Sequence, residues 1–415
     1  MTTILSCMWL LMLVTFSVPG REGPLSIATL DWIALLKVGT RAVVFVALST
    51  VVVRRWHAPN RPGVLRLLWP FFAFAVWAVA STLWSPLPAV TLGQAFTTAV
   101  LLLLAAAIAV EWRDESDTSA VLEQLTMASL AVSAILCGVH LVGGSWSGLD
   151  RSWDEGGAAG LMHPTSASAT ASLGLVTLVA VAMIWRWPWS RAMLWPAALI
   201  HTAVLLMALS RTGLALAVLA LGLLALWRGS RMAMASGAVG LSVAAVVYPV
   251  FDPGFVLAGD LFGAAAEYVS RGESPETMRT LTGRTELWQA VWTSFLESPV
   301  VGYGYHVASS DGVLEVWGRP AVRTAHNLLL HVLASTGLVG LGLFAFGLIR
   351  PIRGAAAALR HDEGGRRLGR LLLVVGGWYL GWSLLNESFL GPLQPESVFF
   401  FAALGLAVGR TCGRS

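Results

Sequence analysis

Residues 90–110 read VTLGQAFTTAVLLLLAAAIAV and contain no charged side chain. A helix needs about 20 apolar residues to cross roughly 30 Å of hydrocarbon, so this run predicts a membrane-spanning helix. Its apolar residues do not alternate with polar ones, which excludes a strand of a closed barrel. Similar runs predict about twelve spans, near residues 3–19, 33–53, 67–84, 90–110, 119–142, 162–185, 192–209, 212–227, 233–251, 326–349, 368–386 and 393–409.

The composition supports an all-α polytopic membrane protein. Of the 415 residues, 56% are hydrophobic and 12% are charged, whereas soluble proteins carry about 25% charged residues. The net charge of +4 comes from arginines scattered among short connections, so we expect no nucleic-acid partner. Cys7, Cys137 and Cys412 are too dispersed to indicate a disulfide framework or a zinc site. No basic residue precedes the first apolar run, so we expect a retained span rather than a cleaved signal.

Arginine clusters predict the orientation, since short cytoplasmic loops carry an excess of Lys and Arg. The arginine-rich connections are Arg54 to Arg66, Arg186 to Arg191, Arg228 to Arg231 and Arg350 to Arg370. With twelve spans, all four connections fall on one side of the membrane, which predicts that both termini are cytoplasmic. The predicted organisation is spans one to nine in residues 1–251, a large extracytoplasmic loop in 252–325, and spans ten to twelve with a tail in 326–415.

The large loop contains an amphipathic helix. In RTELWQAVWTSFLES (284–298), Leu287, Val291 and Phe295 recur at helical spacing, and Pro299 ends the run. We expect this helix to lie on the outer membrane surface or to dip into it.

Three basic residues fall on the outer side. Arg211 lies at the apex of a hairpin of spans, Arg284 begins the amphipathic helix, and His326 opens the tenth span. Two guanidinium groups can clamp a diphosphate, and an imidazole can accept a hydroxyl proton. Together they predict glycosyl transfer from a diphosphate leaving group. Taken singly, Arg211 also fits snorkelling to headgroups, Arg284 a solvated loop residue, and His326 a helix cap.

Secondary candidates surround this trio. Arg319, Arg323 and Asn327 could contact phosphate or glycan, although plain solvation in the loop is the favoured interpretation of the two arginines. His163 and His306 also face outward and are weaker candidates for the base. Trp288 and Trp292 could stack on sugars, but tryptophan is common at membrane interfaces. The chain has no Asp-x-Asp sequence, so we expect neither a metal nor a cofactor, and Gly302 with Gly304 predicts a flexible turn.

At these residues the sequence resembles the O-antigen ligase and O-antigen polymerase superfamily. The resemblance rests on ALSRTGLALAVLALGLL (208–224), TGRTELWQAVWTSFLESPVVGYGY (282–305) and AHNLLLHVLASTGLVGLGLF (325–344), in this order around a large outer loop. STLWSPLPAV (81–90) is a fourth segment that carries the resemblance, and GLMHPTSASATASLGL (160–175) belongs to a weaker likeness that covers most of the chain.

The resemblance implies a bacterial inner-membrane enzyme that moves a glycan from undecaprenyl diphosphate to an acceptor hydroxyl, without metal and on the outer face. It implies that Arg211 and Arg284 meet the diphosphate and that His326 orients or deprotonates the acceptor. Relatives often carry an acidic residue shortly after the His-Asn pair, where this chain has Ala334, Ser335 and Thr336. A role for that acid is therefore in doubt.

Other functions remain open at this stage. A multi-spanning transporter of a lipid-linked or small anionic substrate is the alternative, but its main connection would lie inside, between two six-span halves. A structural scaffold would leave the arginine pair unexplained. Within the enzyme class, the acceptor decides between a polymerase, which joins lipid-linked repeat units, and a ligase, which attaches the glycan to another molecule. The sequence does not decide between them.

Overall fold

The computed structural model describes residues 1–16, 32–55, 57–143, 162, 164–185, 191–208, 210–227, 263, 284–316, 319–322, 325–358, 362–386, 388 and 393–413. Its helices are α1 (Thr2–Leu13), α2 (Trp32–Arg54), α3 (Arg61–Ala80), α4 (Pro88–Glu111), α5 (Glu115–Gly143), α6 (Pro164–Ile184), α7 (Leu194–Met207), α8 (Arg211–Trp227), α9 (Arg284–Glu297), α10 (Leu328–Ala358), α11 (Glu363–Ser383) and α12 (Pro395–Cys412). The strands β1 (Leu314–Val316) and β2 (Arg319–Val322) form one antiparallel hairpin.

Within the described part of the chain, six helices are long and apolar enough to cross a membrane: α2, α3, α4, α5, α6 and α10. The helices α1, α7 and α8 are apolar but have only 12, 14 and 17 residues. The helices α11 and α12, which carry charged side chains in their terminal turns, are not among the six. The predicted ninth span, 233–251, lies outside the described residues. The protein is thus a helical membrane protein, but the predicted count of about twelve spans is not confirmed.

The centre of the bundle is built from α4, α6 and α12, which are buried along most of their length. The close packing of α12 on α4 depends on small residues. A side chain at Gly405 would meet Ala105, and one at Gly409 would meet Trp112. Without such side chains, the two backbones approach closely and gain dispersion contacts, which is how helices associate in lipid.

Ion pairs gather several connections at one end of the bundle, which we call the charged end. Arg55 Nε lies 2.6 Å from Glu111 Oε1, and the amino group of Met1 lies 3.9 Å from the same carboxylate. Arg410, only 2% exposed, lies 2.8 Å from Asp362. The two termini of the described chain and the connections before α3 and α11 therefore share one end. The sequence assigns this end to the cytoplasm, and that assignment remains a prediction.

The helix α10 is broken at Gly337, where φ is 66° and ψ is −171°. This backbone conformation is almost restricted to glycine. Residues 299–304 pack into the break, and the interrupted helix exchanges backbone hydrogen bonds with them: Leu338 N to Pro299 O (2.9 Å), Val339 N to Val300 O (3.3 Å), Tyr303 N to Ala334 O (3.2 Å) and Gly304 N to Ser335 O (2.9 Å). Because these bonds satisfy the freed polar groups, the break is tolerated inside an apolar helix.

We predict that Gly337→Ala destabilises the protein by at least about 2 kcal/mol, since alanine strains this backbone and its Cβ would overlap the Val300 carbonyl group. The control is Gly342→Ala in the same helix, where an added Cβ meets no atom within 4 Å. Thermal unfolding of the purified proteins in detergent measures the difference. Equal melting temperatures for the two variants would contradict the role given to Gly337.

Candidate functional site

The helix predicted over 284–298 is α9, and its apolar side faces protein. Leu287 and Val291 are fully buried, and Phe295 is nearly so. They pack with residues of β1 and α10 in a small separate core. The hairpin and α10 thus cover the apolar face of α9, and the expected position of this helix at the outer membrane surface stays a prediction. Trp292 and Leu296, on the other side of α9, remain exposed.

The hairpin of β1 and β2 was not predicted, since the sequence indicated short helices in this loop and gave no signal for strands. Leu314 and Val316 are two positions apart in β1 and therefore point to the same face of the strand. Both side chains are buried in the core under α9. Val316 pairs with Arg319, and Leu314 pairs with Val322. The hairpin thus covers one side of the small core under α9, shortly before the His326 motif in the sequence.

Arg284 begins α9 and reaches the C-terminal end of α11. Its Nη1 donates a 2.8 Å hydrogen bond to the carbonyl oxygen of Leu385. The last carbonyl groups of a helix have no partner within the helix and form the negative end of its dipole, so a cation is favoured there. This bond fixes the orientation of the guanidinium group, whose planar fork has five N–H donors.

Asn327 joins α10 to the same turn. Its Oδ1 accepts a 3.0 Å bond from the backbone N–H of Leu330, which caps the N-terminus of α10. Its Nδ2 donates a 3.0 Å bond to the carbonyl oxygen of Leu384. Arg284 and Asn327 therefore bind adjacent carbonyl groups, and we call Leu384 and Leu385 the acceptor turn.

His326 is held between two anchored neighbours. Its φ of 45° is rare for a residue other than glycine. On one side Asn327 is bound to the acceptor turn, and on the other the carbonyl oxygen of Ala325 accepts a 3.0 Å bond from Trp288 Nε1. Because Trp288 lies one turn after Arg284 in α9, the structure brings the predicted arginine and histidine motifs together. Strained residues of this kind cluster at functional sites.

Arg211 lies at the same end of the bundle. It is the first residue of α8. The last residue of α8, Trp227, lines a cavity with Glu363, the first residue of α11, so the two helices run antiparallel. Leu216 in turn faces Gly381 near the end of α11. Arg211 thus shares the end of the acceptor turn, opposite the charged end.

Three of the secondary candidates cannot be placed in the site. Arg319 begins β2, but its side chain lies outside the described part of the structure, as do Arg323 and His163.

Gly302 and Gly304 form a tight turn with φ of 67° and 111°. Added Cβ atoms would meet Ser335 and Ser85, respectively, so this turn is packed rather than flexible.

Tyr305 attaches the turn to the main bundle. Its hydroxyl group lies 2.5 Å from Thr98 Oγ1 in α4, and its backbone N–H donates to Ser81 Oγ at 2.9 Å. The side chain is fully buried, and this burial raises the pKa of the phenol. Tyr305 therefore stays protonated and serves as a structural anchor.

Sequence reasoning did not single out two buried polar residues at this end. His331 is fully buried, and its Nδ1 accepts a 3.3 Å bond from the backbone N–H of Ala325. The ring of His331 lies 5.0 Å from the ring of His306. Like His326, His306 has a positive φ, which is 65°. Glu396, 1% exposed, accepts a 3.2 Å bond from Ser388 Oγ. The only signal in the sequence was a polar residue within an otherwise apolar stretch.

We predict that Trp288→Phe lowers stability by about 1 to 3 kcal/mol, because it removes the bond to Ala325 and some buried ring area. The control is Trp292→Phe, since Trp292 lies on the same helix and is 46% exposed. Thermal unfolding in detergent distinguishes them. A larger loss at Trp292 would overturn the anchoring role of Trp288.

A family model matches the part of the chain that contains this site. Residues 196–345 match the family model described as O-antigen ligase. The matched region includes Arg211, Arg284 and His326, and it ends beyond the break at Gly337. No curated protein matches the chain. The match confirms, over these residues, the resemblance to the O-antigen ligase and polymerase superfamily that was drawn from the arginine and histidine motifs.

Proposed function

We propose that the protein transfers a glycan from undecaprenyl diphosphate to an acceptor hydroxyl group during the synthesis of a bacterial surface polysaccharide. The donor diphosphate binds Arg211 and Arg284, and His326 serves the acceptor. In this proposal the protein resides in the inner membrane, with the acceptor turn on the outer face and both termini in the cytoplasm.

One observation carries the proposal. Arg284 and Asn327 come from different helices, yet their side chains bind the adjacent carbonyl groups of Leu385 and Leu384. A guanidinium group and the imidazole beside Asn327 are thereby held on one rigid support. Group transfer depends on such positioning, since catalytic groups that are already oriented toward the substrate reduce the entropic part of the activation barrier.

The reaction follows from the chemistry of these groups. The acceptor oxygen attacks the anomeric carbon of the donor glycan, and the bond from that carbon to the phosphate oxygen breaks. The electron pair of the broken bond stays on undecaprenyl diphosphate, where the arginines stabilise the developing charge. The hydroxyl proton passes to His326, acting as general base. The new glycosidic bond links acceptor and glycan.

The acceptor defines the two forms of this activity. A ligase uses a sugar of a separate molecule, and a polymerase uses a second lipid-linked glycan. A polymerase must hold two diphosphates, for which Arg319 and Arg323 are candidates from the sequence. The proposal covers both forms, since they share the donor half of the site.

We predict that Arg284→Ala and His326→Ala each reduce transfer at least about a hundredfold, because each removes a group that acts in the transition state. The matched control is Arg113→Ala, whose side chain is 68% exposed and paired with Asp117 at the charged end. The measurement is glycan transfer from a lipid-linked donor by the purified proteins, with membrane insertion checked for each. Full activity in both site variants would refute the proposed mechanism.

Deleting the gene and analysing surface glycan by size separates the activities. Loss of long chains with retention of single repeats indicates a polymerase. Accumulation of long chains on the lipid carrier indicates a ligase. An unchanged glycan profile would contradict both and favour the transporter alternative.

A further inference from the structure

A polar cavity lies at the charged end, away from the acceptor turn. It has a volume of about 450 Å³ and opens between the ends of α6, α8 and α11. Among the described residues, its wall includes Arg366, Arg367 and Arg370 from the first turns of α11, and Trp185 and Trp227 from the ends of α6 and α8. The proposed glycan transfer uses none of these residues.

The charges of this cavity favour an anion. Glu363 pairs with Arg367 four residues later in α11. Arg366 and Arg370 are exposed, and the four charged side chains described in this wall together carry a formal charge of +2. Guanidinium groups match phosphate oxygens through their planar fork of donors, so phosphate is the anion that this wall suits best.

The other lining residues point to a lipid rather than a soluble anion. Trp185 is fixed by a 2.7 Å bond from its Nε1 to Ser119 Oγ, and Trp227 is 36% exposed. Tryptophans in such positions are typical of the level of the lipid headgroups. Met183 and Leu224 add an apolar wall beside the arginines. Basic cavities between membrane helices at this level suit anionic headgroups.

The length of α11 separates this cavity from the proposed donor site. The helix has 21 residues and so extends about 30 Å from Glu363 to the acceptor turn. That distance is close to the thickness of the hydrocarbon core. A phosphate bound in the cavity therefore belongs to the opposite leaflet and cannot be the diphosphate of the proposed reaction.

We propose that this cavity binds the phosphodiester headgroup of an anionic phospholipid in the leaflet at the charged end. Arg366 and Arg370 hold the phosphate, while Trp185 and Trp227 border the glycerol region. The bound lipid links the ends of α6, α8 and α11, three helices that also approach one another at the end that carries Arg211.

The test measures binding of phosphatidylglycerol and phosphatidylcholine to the purified full-length protein by native mass spectrometry. The wild type is expected to prefer phosphatidylglycerol. Replacing both arginines by Gln (Arg366→Gln with Arg370→Gln) is expected to weaken its binding about thirtyfold. Replacing both by Lys is expected to retain most of the binding, because the positive charges remain. The control pair is Arg350→Gln with Arg353→Gln, at the same end but outside the cavity.

Inorganic phosphate distinguishes a lipid from a free anion. Millimolar phosphate is expected to leave phosphatidylglycerol binding nearly unchanged, since phosphate lacks the contacts with the apolar wall. Full displacement by phosphate, no preference for phosphatidylglycerol, or equal loss in the control pair would overturn the lipid site. Glycan transfer is measured in parallel. Its absence in the wild type would count against the proposed function and leave the lipid result standing.

Discussion

The carbonyl groups at the C-terminal end of α11 are the interaction on which the candidate site depends. The carbonyl groups of Leu384, the C-cap of α11, and of the next residue, Leu385, have no partner within the helix, and backbone polar groups away from water need one. Here Arg284 and Asn327 supply the donors for Leu385 and Leu384. The same bonds that satisfy the acceptor turn after α11 also fix two motifs separated by about 40 residues of chain. The side chains of Arg284 and Asn327 thus both satisfy the carbonyl groups of the acceptor turn and position the residues of the candidate site.

The broken helix α10 provides the second constraint. Gly337 interrupts the helix, and residues 299–304 take the place of the missing intrahelical partners. Since these residues directly follow α9, their bonds at the break hold the end of α9 against α10. The first segment of α10 carries Asn327 at its cap, so the break and the cap together hold the His326 motif against α9.

Much of the fold was accessible from the sequence because bilayer helices are marked by uninterrupted apolar runs. The helix α9 was predicted to within about one residue, since Leu287, Val291 and Phe295 repeat at helical spacing and Pro299 follows. The break at Gly337 could not be predicted, because the sequence around a glycine in an apolar run looks the same in a continuous helix and in a broken one. The number of spans was not confirmed, since apolar windows do not give the length of α1, α7 or α8.

The site was accessible in part. The distribution of arginines predicted that Arg211, Arg284 and His326 share one side, and the helices place them at one end of the bundle. The acceptor turn could not be predicted, because backbone carbonyl groups have no side-chain signature. The covered face of α9 was missed for a related reason. An apolar stripe shows that a surface is buried, but it does not show whether lipid or protein covers it.

The central claim is that Arg211 and Arg284 act on one diphosphate. A double-mutant cycle tests it most directly, with undecaprenyl diphosphate binding measured for the wild type, Arg211→Ala, Arg284→Ala and the double variant. If both guanidinium groups contact the same diphosphate, each single change weakens binding and the two effects are not additive, with a coupling of at least about 0.5 kcal/mol. Unchanged binding in the single variants, or strictly additive losses, would contradict the account.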